Sequence, residues 1–232
     1  MNAVLAKKEL HNCIKRGKAE TLARFFKTGK GEYGEGDLFL GVMVPEIRKV
    51  AKAFRAISFS EIKKLLDSKY HEERLLGVLI LVENFVTGTE IEKERIYRFY
   101  IKNIKRVNNW DLVDLSAPKI VGGYLNKKDK KELVRLAKSK NVWERRISIL
   151  ATLFFISKNN FTETIKISEI LLNDEHELIH KAVGWMLREV GKRSFSTEED
   201  FLAKNHLKMP RTMLRYAIER FPEHKRCKYL KR

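Results

Sequence analysis

Residues that interrupt helices are scarce in this sequence, which has only 4 Pro and 12 Gly among 232 residues. Stretches in which polar and apolar residues alternate, as in a half-buried strand, are also few. Because Gly and Pro are the strongest local breaks in a helix, their scarcity predicts a mostly helical chain. Hydrophobic residues make up 44% of the sequence, which is enough for one core. We therefore expect an all-α protein whose residues 1–232 form a single domain.

Cysteines and long apolar runs are scarce as well. The two cysteines, Cys13 and Cys227, show neither a disulfide framework nor a metal-ligand spacing, which indicates a reducing compartment. The longest apolar run, LLGVLILVENF (75–85), is too short to cross a bilayer, and the segment MNAVLAKKELHNCIK lacks a signal-peptide core. We expect a cytoplasmic protein that does not insert into membranes.

Acidic residues are too few to balance the basic ones. The chain has 30 Asp and Glu against 48 Lys and Arg, which gives a net charge of +18. So basic a surface repels itself unless a polyanion neutralises it, and nucleic acid is the usual polyanion. Anionic membranes and acidic proteins are less common partners. The alternative explanation of the positive charge is a general richness in lysine that reflects no partner at all.

Four apolar segments recur about every 35 residues, each after a more charged helix. They are HEERLLGVLILVENF (71–85), NNWDLVDLSAPKIVGG (108–123), NVWERRISILATLFF (141–155) and IHKAVGWMLREVGK (179–192). Helix pairs that repeat at this period and cannot bury their apolar faces alone are typical of a HEAT-like α-solenoid, a superhelix of antiparallel helix pairs.

Within the four segments, basic and aromatic residues recur at spacings of 36, 36 and 35. They are Arg74, Trp110, Arg146 and Lys181. In stacked repeats these residues would form a row along one face. Unrelated residues in the first turns of separate helices are an equally good explanation.

Helix starts are marked by polar caps and by proline. Pro45 and Pro210 each lie just inside a predicted helix start, where a missing N–H costs little. Capping boxes are predicted for Ser58 with Glu61, Thr89 with Glu92, and Ser196 with Glu199.

The stretch GKGEYGEG (29–36) contains the spacing G-x-G-x-x-G of dinucleotide-binding loops. That function requires a strand before the loop and a helix after it. The preceding segment, AETLARFFKT, has the pattern of an amphipathic helix. We interpret the glycines as a turn.

A second motif, H-E-x-x-H, is formed by His176, Glu177 and His180. In metalloproteases this spacing supplies two zinc ligands and a base from one helix. Here it lies at the start of a helix, beside the first-turn acids Asp174 and Glu175, and this position favours a chance match. A zinc hydrolase would need a third ligand from the set Glu198, Glu199, Asp200 and His206.

The segment RVNNWDLVDLSAPKIVGG (106–123) contains two acidic residues, Asp111 and Asp114, in an otherwise apolar helix pattern. Asn108 or Asn109 is expected to cap a helix, and capping with the helix dipole accounts for Asp111. Asp114 lies one turn after Trp110 on the same face. It is either a structural, hydrogen-bonded Asp beside a core Trp or a carboxylate available for cationic chemistry.

Other basic and aromatic residues are candidate DNA contacts. Trp143 and Arg146 lie on adjacent turns, and Arg suits bidentate phosphate contact, although a salt bridge to Glu144 or to a neighbouring helix is the alternative. Lys181, Trp185 and Arg188 share one helix face. The basic tail PRTMLRYAIERFPEHKRCKYLKR (210–232) contributes Arg211 and Arg215, as a DNA contact or as a solvated end.

Taken together, four segments resemble the DNA alkylation repair proteins of AlkD type, which are HEAT-like repeat alkylpurine DNA glycosylases. The segments are GEYGEGDLFLGVMVPEIRKVAK, VNNWDLVD, WERRISIL and KAVGWMLRE. The resemblance implies an all-α superhelix that wraps duplex DNA and removes N3- and N7-alkylated purines.

By motif, the resemblance assigns roles to four residues. Trp110 and Asp114 match W-x-x-x-D, Arg146 matches the basic residue after the W-x-x pattern, and Trp185 matches the Trp of G-W-x-L-R-E. Both tryptophans would line the lesion cleft and Arg146 would hold DNA backbone. The chain departs from the family at Phe25 and Phe26, where some members carry an aromatic hydroxyl, so the range of lesions stays open.

The chemistry of a cationic lesion fits these residues. An alkylated purine already carries positive charge and leaves without a general acid, so one carboxylate, Asp114, suffices to stabilise an oxocarbenium-like sugar and to position water. Trp110 and Trp185 can add cation–π attraction. We expect a monomeric, monofunctional glycosylase without metal or cofactor. A HEAT-repeat scaffold that binds nucleic acid or protein without catalysis is the main rival hypothesis.

Overall fold

The computed structural model describes residues 1–231, and the predicted all-α class is confirmed. Within these residues the only extended pairing is an isolated bridge between Leu38 and Tyr70. None of the helices in the described chain is both long and apolar enough to span a membrane. The chain divides into two compact units, Met1–Ser116 and the part from Ala117 onward.

The first unit is built around one long apolar helix, α5. Its residues from His71 to Val82 are all buried. From Leu75 onward this is because the sequence is apolar on every side, whereas the polar first turn, His71 to Arg74, is buried through ion pairs and hydrogen bonds. Helices α3, α4 and α6 pack against it. The helices of this unit are α1 (Ala3–His11), α2 (Lys18–Phe25), α3 (Val44–Ala53), α4 (Phe59–Leu66), α5 (His71–Thr87), α6 (Glu90–Lys102) and α7 (Trp110–Ala117), with a 3-10 turn at Ile104–Arg106.

The second unit has two central helices, α10 and α12, which pack on each other. Helices α9 and α11 cover α10, and α13 and α14 cover α12. The helices are α8 (Gly123–Leu125), α9 (Lys131–Ala137), α10 (Val142–Ser157), α11 (Thr162–Ile170), α12 (Glu177–Gly191), α13 (Phe195–Asn205), α14 (Arg211–Ala217) and α15 (Glu223–Leu230), with a 3-10 turn at Ile218–Arg220.

The four apolar segments predicted to repeat form α5, α7, α10 and α12. Within each unit, successive helices pack side by side, as expected of a solenoid-like fold. A helix that buries most of its surface needs other helices to cover it on several sides. The alternation of apolar and charged segments therefore predicted the fold class correctly.

The helix starts repeat in a register that the sequence spacing did not show. Arg74 in α5 donates from Nη1 to the carbonyl of Ser68, and Arg145 in α10 donates from Nη1 to the carbonyl of Ser139, at 3.1 and 3.0 Å. Both acceptors lie six residues earlier, and both Ser hydroxyls accept from the backbone two residues on. Arg74 and Arg145 are thus equivalent residues of a 71-residue repeat.

The four residues of the predicted basic and aromatic row do not occupy the same position in their helices, and the row itself stays a prediction. The helices that contain Arg74, Arg146 and Lys181 have N-caps at Tyr70, Asn141 and His176, so Arg74 is the fourth helical residue, whereas Arg146 and Lys181 are the fifth. Trp110 is the first residue of α7. The nearly equal spacing in the sequence therefore does not correspond to one repeated position in the four helices.

One of the three predicted capping boxes is confirmed, and a second has only its N-cap half. Thr89 and Glu92 form a complete capping box at α6. At α4, Ser58 accepts from the N–H of Glu61, while the Glu61 carboxylate accepts from the N–H of Ala3 instead. The box predicted at Ser196 is wrong, because α13 begins two residues earlier and Ser194 is its cap.

Helix α7 continues into a π-helical segment, Pro118–Gly122. Pro118 has no N–H to donate, and a wider turn is a common way for a helix to continue past such a residue. At the end of the segment, a Cβ on Gly122 would overlap the Ala151 carbonyl oxygen of α10. Glycine at position 122 therefore allows the π-helical segment to lie directly against α10.

Candidate functional site

Trp110 begins α7 and is fixed by neighbours on three sides. Its backbone N–H donates to Oδ1 of Asn109 at 2.8 Å, so Asn109 is the capping asparagine of the two considered. The Phe26 ring is stacked on the indole with 5.0 Å between centroids and an interplanar angle of 13°. Phe25 contacts the indole edge-on at 5.7 Å. The indole remains half-buried, so part of it faces solvent.

Asp114 lies one turn further along α7 and is also only half-buried. Burial, together with the negative charge of Asp114, raises the pKa of the Tyr100 phenol, against a smaller opposite effect of the Ser116 hydroxyl. Tyr100 is fully buried and its hydroxyl lies 2.8 Å from Oγ of Ser116. Asp114 is therefore a carboxylate at the boundary between the core of the first unit and solvent.

Asp111 does more than complement the helix dipole, contrary to the sequence interpretation. It is 5% exposed, and its Oδ2 accepts from Nε2 of His71 at 2.8 Å. No local pattern singles out His71, since it lies 40 residues from Asp111, at the start of α5. The contact joins the first turns of α5 and α7.

A buried ion cluster surrounds His71. Asp37, in the loop between α2 and α3, accepts from Nη2 of Arg74 at 2.6 Å, from Nδ2 of Asn109 at 3.1 Å and from Nδ1 of His71 at 3.4 Å. Burial acts to raise the pKa of Asp37, but the hydrogen bonds and the charges of His71 and Arg74 outweigh it and lower the pKa. The cluster thus connects the loop to both helices.

The charge state of His71 follows from its neighbours. Burial alone would lower the pKa of His71. The charge of Asp111 and hydrogen bonds to both carboxylates outweigh burial and raise it from 6.5 to about 9. At neutral pH the ring is therefore an imidazolium that donates from both nitrogens. The imidazole stacks on the Phe39 ring, with 4.7 Å between centroids, and contacts the tilted Phe26 ring at 4.8 Å.

Arg74, predicted to bind DNA, belongs to this cluster. Its side chain is 5% exposed and pairs with Asp37. Two guanidinium nitrogens are occupied by Asp37 and by the Ser68 carbonyl. This geometry favours a role in holding the loop to α5 over contact with a phosphate.

In the second unit, Trp143 and Arg146 are enclosed. Trp143 is 8% and Arg146 5% exposed, and Nη1 of Arg146 donates to the carbonyl of Leu178 at 2.6 Å. This hydrogen bond joins α10 to α12 and is made to a backbone carbonyl, so it is not the salt bridge considered from sequence. The adjacent Arg145 pairs with Asp174 through two nitrogens, at 2.6 and 3.3 Å.

Lys181, Trp185 and Arg188, which were predicted to share one face of α12, are all half-exposed. Lys181 pairs with Glu177 at 2.9 Å. The indole N–H of Trp185 donates to Oε1 of Glu189 at 3.0 Å. Arg188 pairs with Glu219. The three side chains lie on successive turns, and each has an acidic neighbour that holds it in place.

A groove of about 420 Å³ runs beside this face, between α12 and α14. Helix α14 approaches closely because a Cβ on Gly184 would overlap the Met213 carbonyl oxygen. Arg211 is exposed and donates from Nη1 to the Leu230 carbonyl at 2.9 Å. The groove is lined by Glu177, Lys181, Thr212, Arg215, Tyr216, Glu219 and Arg226.

The histidines of the H-E-x-x-H motif both contact backbone. His176 is the N-cap of α12, and its Nδ1 accepts from the N–H of Leu178 at 3.1 Å. Nε2 of His180 lies against the carbonyl oxygen of Asp174. Burial lowers the pKa of His176. Among residues 1–231, no group of three or more His, Cys, Asp or Glu side chains is placed to hold a metal ion.

The glycine-rich stretch is a turn, as predicted. It follows α2 rather than a strand. Gly31 and Gly36 have φ angles of 79° and 84°, a conformation that favours glycine. The N–H groups of Gly29 and Gly31 donate to the carboxylates of Glu32 and Glu35, both at 2.8 Å. These local bonds account for the motif without a ligand.

Comparison with known proteins agrees with the resemblance. The model of the family described as DNA alkylation repair enzyme matches residues 6–221. A solved structure, described as a predicted DNA alkylation repair enzyme from Enterococcus faecalis, has a similar fold. Its TM-score is 0.69 at 18% identity, over 90% of this chain and 97% of that one. No curated protein matches the chain significantly. The family match extends over nearly the whole chain, and the protein therefore belongs to the DNA alkylation repair enzyme family.

Proposed function

We propose that the protein is a monofunctional DNA glycosylase that hydrolyses the N-glycosidic bond of cationic N3- and N7-alkylated purines in duplex DNA. One observation carries the proposal. Of the acids around the start of α7, the Asp37 and Asp111 side chains are almost fully enclosed, whereas Asp114 is half-exposed one turn after a half-exposed Trp110. Asp114 is thus the carboxylate that can meet a substrate.

The proposed reaction needs little from the protein. The C1′–N bond breaks and its electron pair returns to the purine, which loses its positive charge. Positive charge then develops on the sugar, and the Asp114 carboxylate stabilises it by Coulomb attraction. A water held by the same carboxylate attacks C1′ and releases a proton to it or to solvent. No enzyme amine enters the reaction, so the DNA strand is left with an abasic site and is not cleaved.

The aromatic residues have supporting roles in the proposal. The exposed part of the Trp110 indole is proposed to contact the lesion sugar and to add cation–π attraction to the developing charge. Phe26 backs the indole and keeps its orientation. In the second unit, Trp185 is proposed to contact the substrate with its half-exposed ring, which Glu189 holds through the indole N–H.

Phosphate contacts are proposed for the accessible basic residues, namely Lys181, Arg188, Arg211 and Arg215. The predicted contacts Arg74, Trp143 and Arg146 are buried, and we propose that they hold the helices from which the lesion is approached. The net charge of +18 supports a polyanionic partner. That the protein acts as a monomer, in the cytoplasm and without metal or cofactor, stays a prediction.

A base-release assay tests the proposal. The protein is incubated with duplex DNA that contains 7-methylguanine, and free base is measured with and without a chelator. We expect release in both arms, with intact strands until alkali cleaves the abasic sites. Binding without any release would favour the rival scaffold function, and release that the chelator abolishes would favour a zinc hydrolase.

A further inference from the structure

We propose that His71 is a positioning residue for the reaction, because as an imidazolium it holds the first turns of α7, and with them Trp110 and Asp114, against the first unit. This inference rests on the proposed function. It concerns a residue that does not touch the substrate and that acts through three separate contacts.

The first contact fixes the backbone of α7. Asp111 lies between Trp110 and Asp114 in the sequence, and its Oδ2 accepts from His71 Nε2 at 2.8 Å. The other oxygen, Oδ1, accepts from the N–H of Leu112 at 2.8 Å. The helix turn that carries the candidate carboxylate is therefore tied to α5 through one imidazole nitrogen.

The second contact reaches Trp110 through the loop between α2 and α3. The other imidazole nitrogen, Nδ1, lies 3.4 Å from Oδ2 of Asp37. The same oxygen accepts from Nδ2 of Asn109 at 3.1 Å. Asn109 in turn accepts from the Trp110 N–H. The orientation of the Trp110 cap thus depends on an acid that His71 helps to hold.

The third contact is through aromatic rings. The imidazolium contacts the rings of Phe26 and Phe39, with centroids 4.8 and 4.7 Å away, and these two rings also stack on each other at 5.0 Å. Phe26 is also the ring stacked on the Trp110 indole. A cation against an aromatic face is attracted to it, so the charge on His71 helps to seat the ring that backs Trp110.

The charge balance of the cluster requires the imidazolium. The charged groups that face His71 are Asp37 from the loop, Asp111 from α7 and Arg74 from α5 itself. Leu22 of α2, Phe26 just after it and Ile47 of α3 line the same cavity and are apolar. The buried Glu72 carboxylate also lies at this cavity, and it accepts from the backbone N–H groups of Gly41 and Val42. With His71 protonated, two carboxylates balance two cations. With His71 neutral, one negative charge would remain buried, and the contacts to α7 would weaken.

The experiment measures single-turnover base release from duplex DNA containing 7-methylguanine, between pH 7 and 9.5, with the enzyme-free loss subtracted at each pH. Three proteins are compared: the natural protein, H71Q, and the control H224Q, whose histidine is exposed on α15. We expect the rate of H71Q at pH 7 to fall about ten-fold or more while affinity for undamaged duplex changes little, because displacement of reacting groups affects the chemical step.

The pH profile separates positioning from a merely structural role. In the natural protein and H224Q, the rate should fall as pH rises towards 9.5, and in H71Q it should be nearly flat. A wild-type rate in H71Q, or an unchanged pH dependence, would overturn the inference. Absence of base release from the natural protein at pH 7 would instead refute the proposed function itself.

If H71Q does not fold, NMR on the natural protein gives the answer. The His71 ring signals should titrate well above pH 7.5, and the Trp110 indole signal should move with the same midpoint. Titration of His71 near pH 6.5, or a Trp110 signal that stays constant through the His71 transition, would contradict the inference.

Discussion

The ring of Phe26 lies nearly parallel to the indole of Trp110, with 5.0 Å between centroids and 13° between planes. The side chain of Phe26 is 6% exposed, whereas that of its neighbour Phe25 is 63% exposed. Two adjacent phenylalanines therefore have different roles at the start of α7: Phe26 supports Trp110 from the core side, and Phe25 contacts its edge from solvent.

This difference predicts unequal effects of substitution. Phe26→Ala should lower the free energy of unfolding by about 3–5 kcal/mol, because it removes a buried ring and leaves a cavity. Phe26→Leu is a milder change: it should leave the protein folded and still reduce the rate of base release, because the ring that backs Trp110 is lost. Phe25→Leu should change stability by about 0.5 kcal/mol or less. Urea unfolding and base-release rates check all three. Equal loss of stability at positions 25 and 26 would contradict the assignment.

Asp114 and Asp111 should respond oppositely to the same chemical change. Asp114→Asn should keep stability and DNA affinity but lose most base release, since the amide cannot stabilise positive charge on the sugar. Asp111→Asn should lower the free energy of unfolding by about 3 kcal/mol, because it removes the shorter of the two carboxylate contacts of the buried His71 and leaves only that to Asp37 at 3.4 Å. Thermal unfolding and base release on both variants are the measurements. Full activity of Asp114→Asn would show that another group is the catalytic carboxylate.

His71 should make stability depend on pH above neutrality. Its pKa in the folded protein is about 9 against 6.5 ordinarily, so the folded state binds more protons between these values. The stabilisation is fully present below pH 6.5 and is lost as pH rises to about 9, on the order of 3 kcal/mol in total. The free energy of unfolding at pH 6.5 and 9 should therefore differ less in H71Q than in the natural protein.

Glu198 should destabilise the protein at alkaline pH. It is 2% exposed, and burial raises its pKa from 4.5 to about 8, against an opposing effect of Arg188. The folded state favours protonated Glu198, so stability falls as pH rises from 4.5 to about 8. Glu198→Gln should match the natural protein near pH 4.5 and be more stable by about 2–4 kcal/mol at pH 8. A variant less stable at pH 8 would indicate a favourable ion pair instead.

Arg215, exposed in the groove between α12 and α14, should contribute one phosphate contact. Arg215→Gln should weaken binding of damaged and undamaged duplex alike and reduce the slope of log affinity against log salt by about one. Arg215→Lys keeps the charge and serves as the matched control, with an unchanged slope. Fluorescence anisotropy at several salt concentrations provides the data, and identical slopes for all three proteins would exclude the contact.

Local signals in the sequence determined the helices. Scarce Gly and Pro, a 3.6-residue apolar pattern and caps such as Thr89 act over a few residues, so they can be read from neighbouring positions. The same signals located the four apolar helices, since a segment apolar on all sides must be covered by others. The wrong N-cap at Ser196 also follows from the use of local signals. Ser194 and Ser196 are both chemically able to cap a helix, and only the packing of α13 selects one.

The candidate site was only partly predictable. Trp110, Asp114 and Trp185 were identified from short motifs, and the structure leaves each of them half-exposed. The bond between His71 and Asp111 joins residues 40 positions apart, and that between Asp37 and Arg74 joins residues 37 apart. No local pattern marks such pairs. Whether a basic residue meets solvent or a buried carboxylate, as for Arg215 and Arg74, depends on which helices pack together. The sequence by itself determined which segments are helical and which are buried. The tertiary structure decided which charges are paired, because the partners meet only when the helices pack.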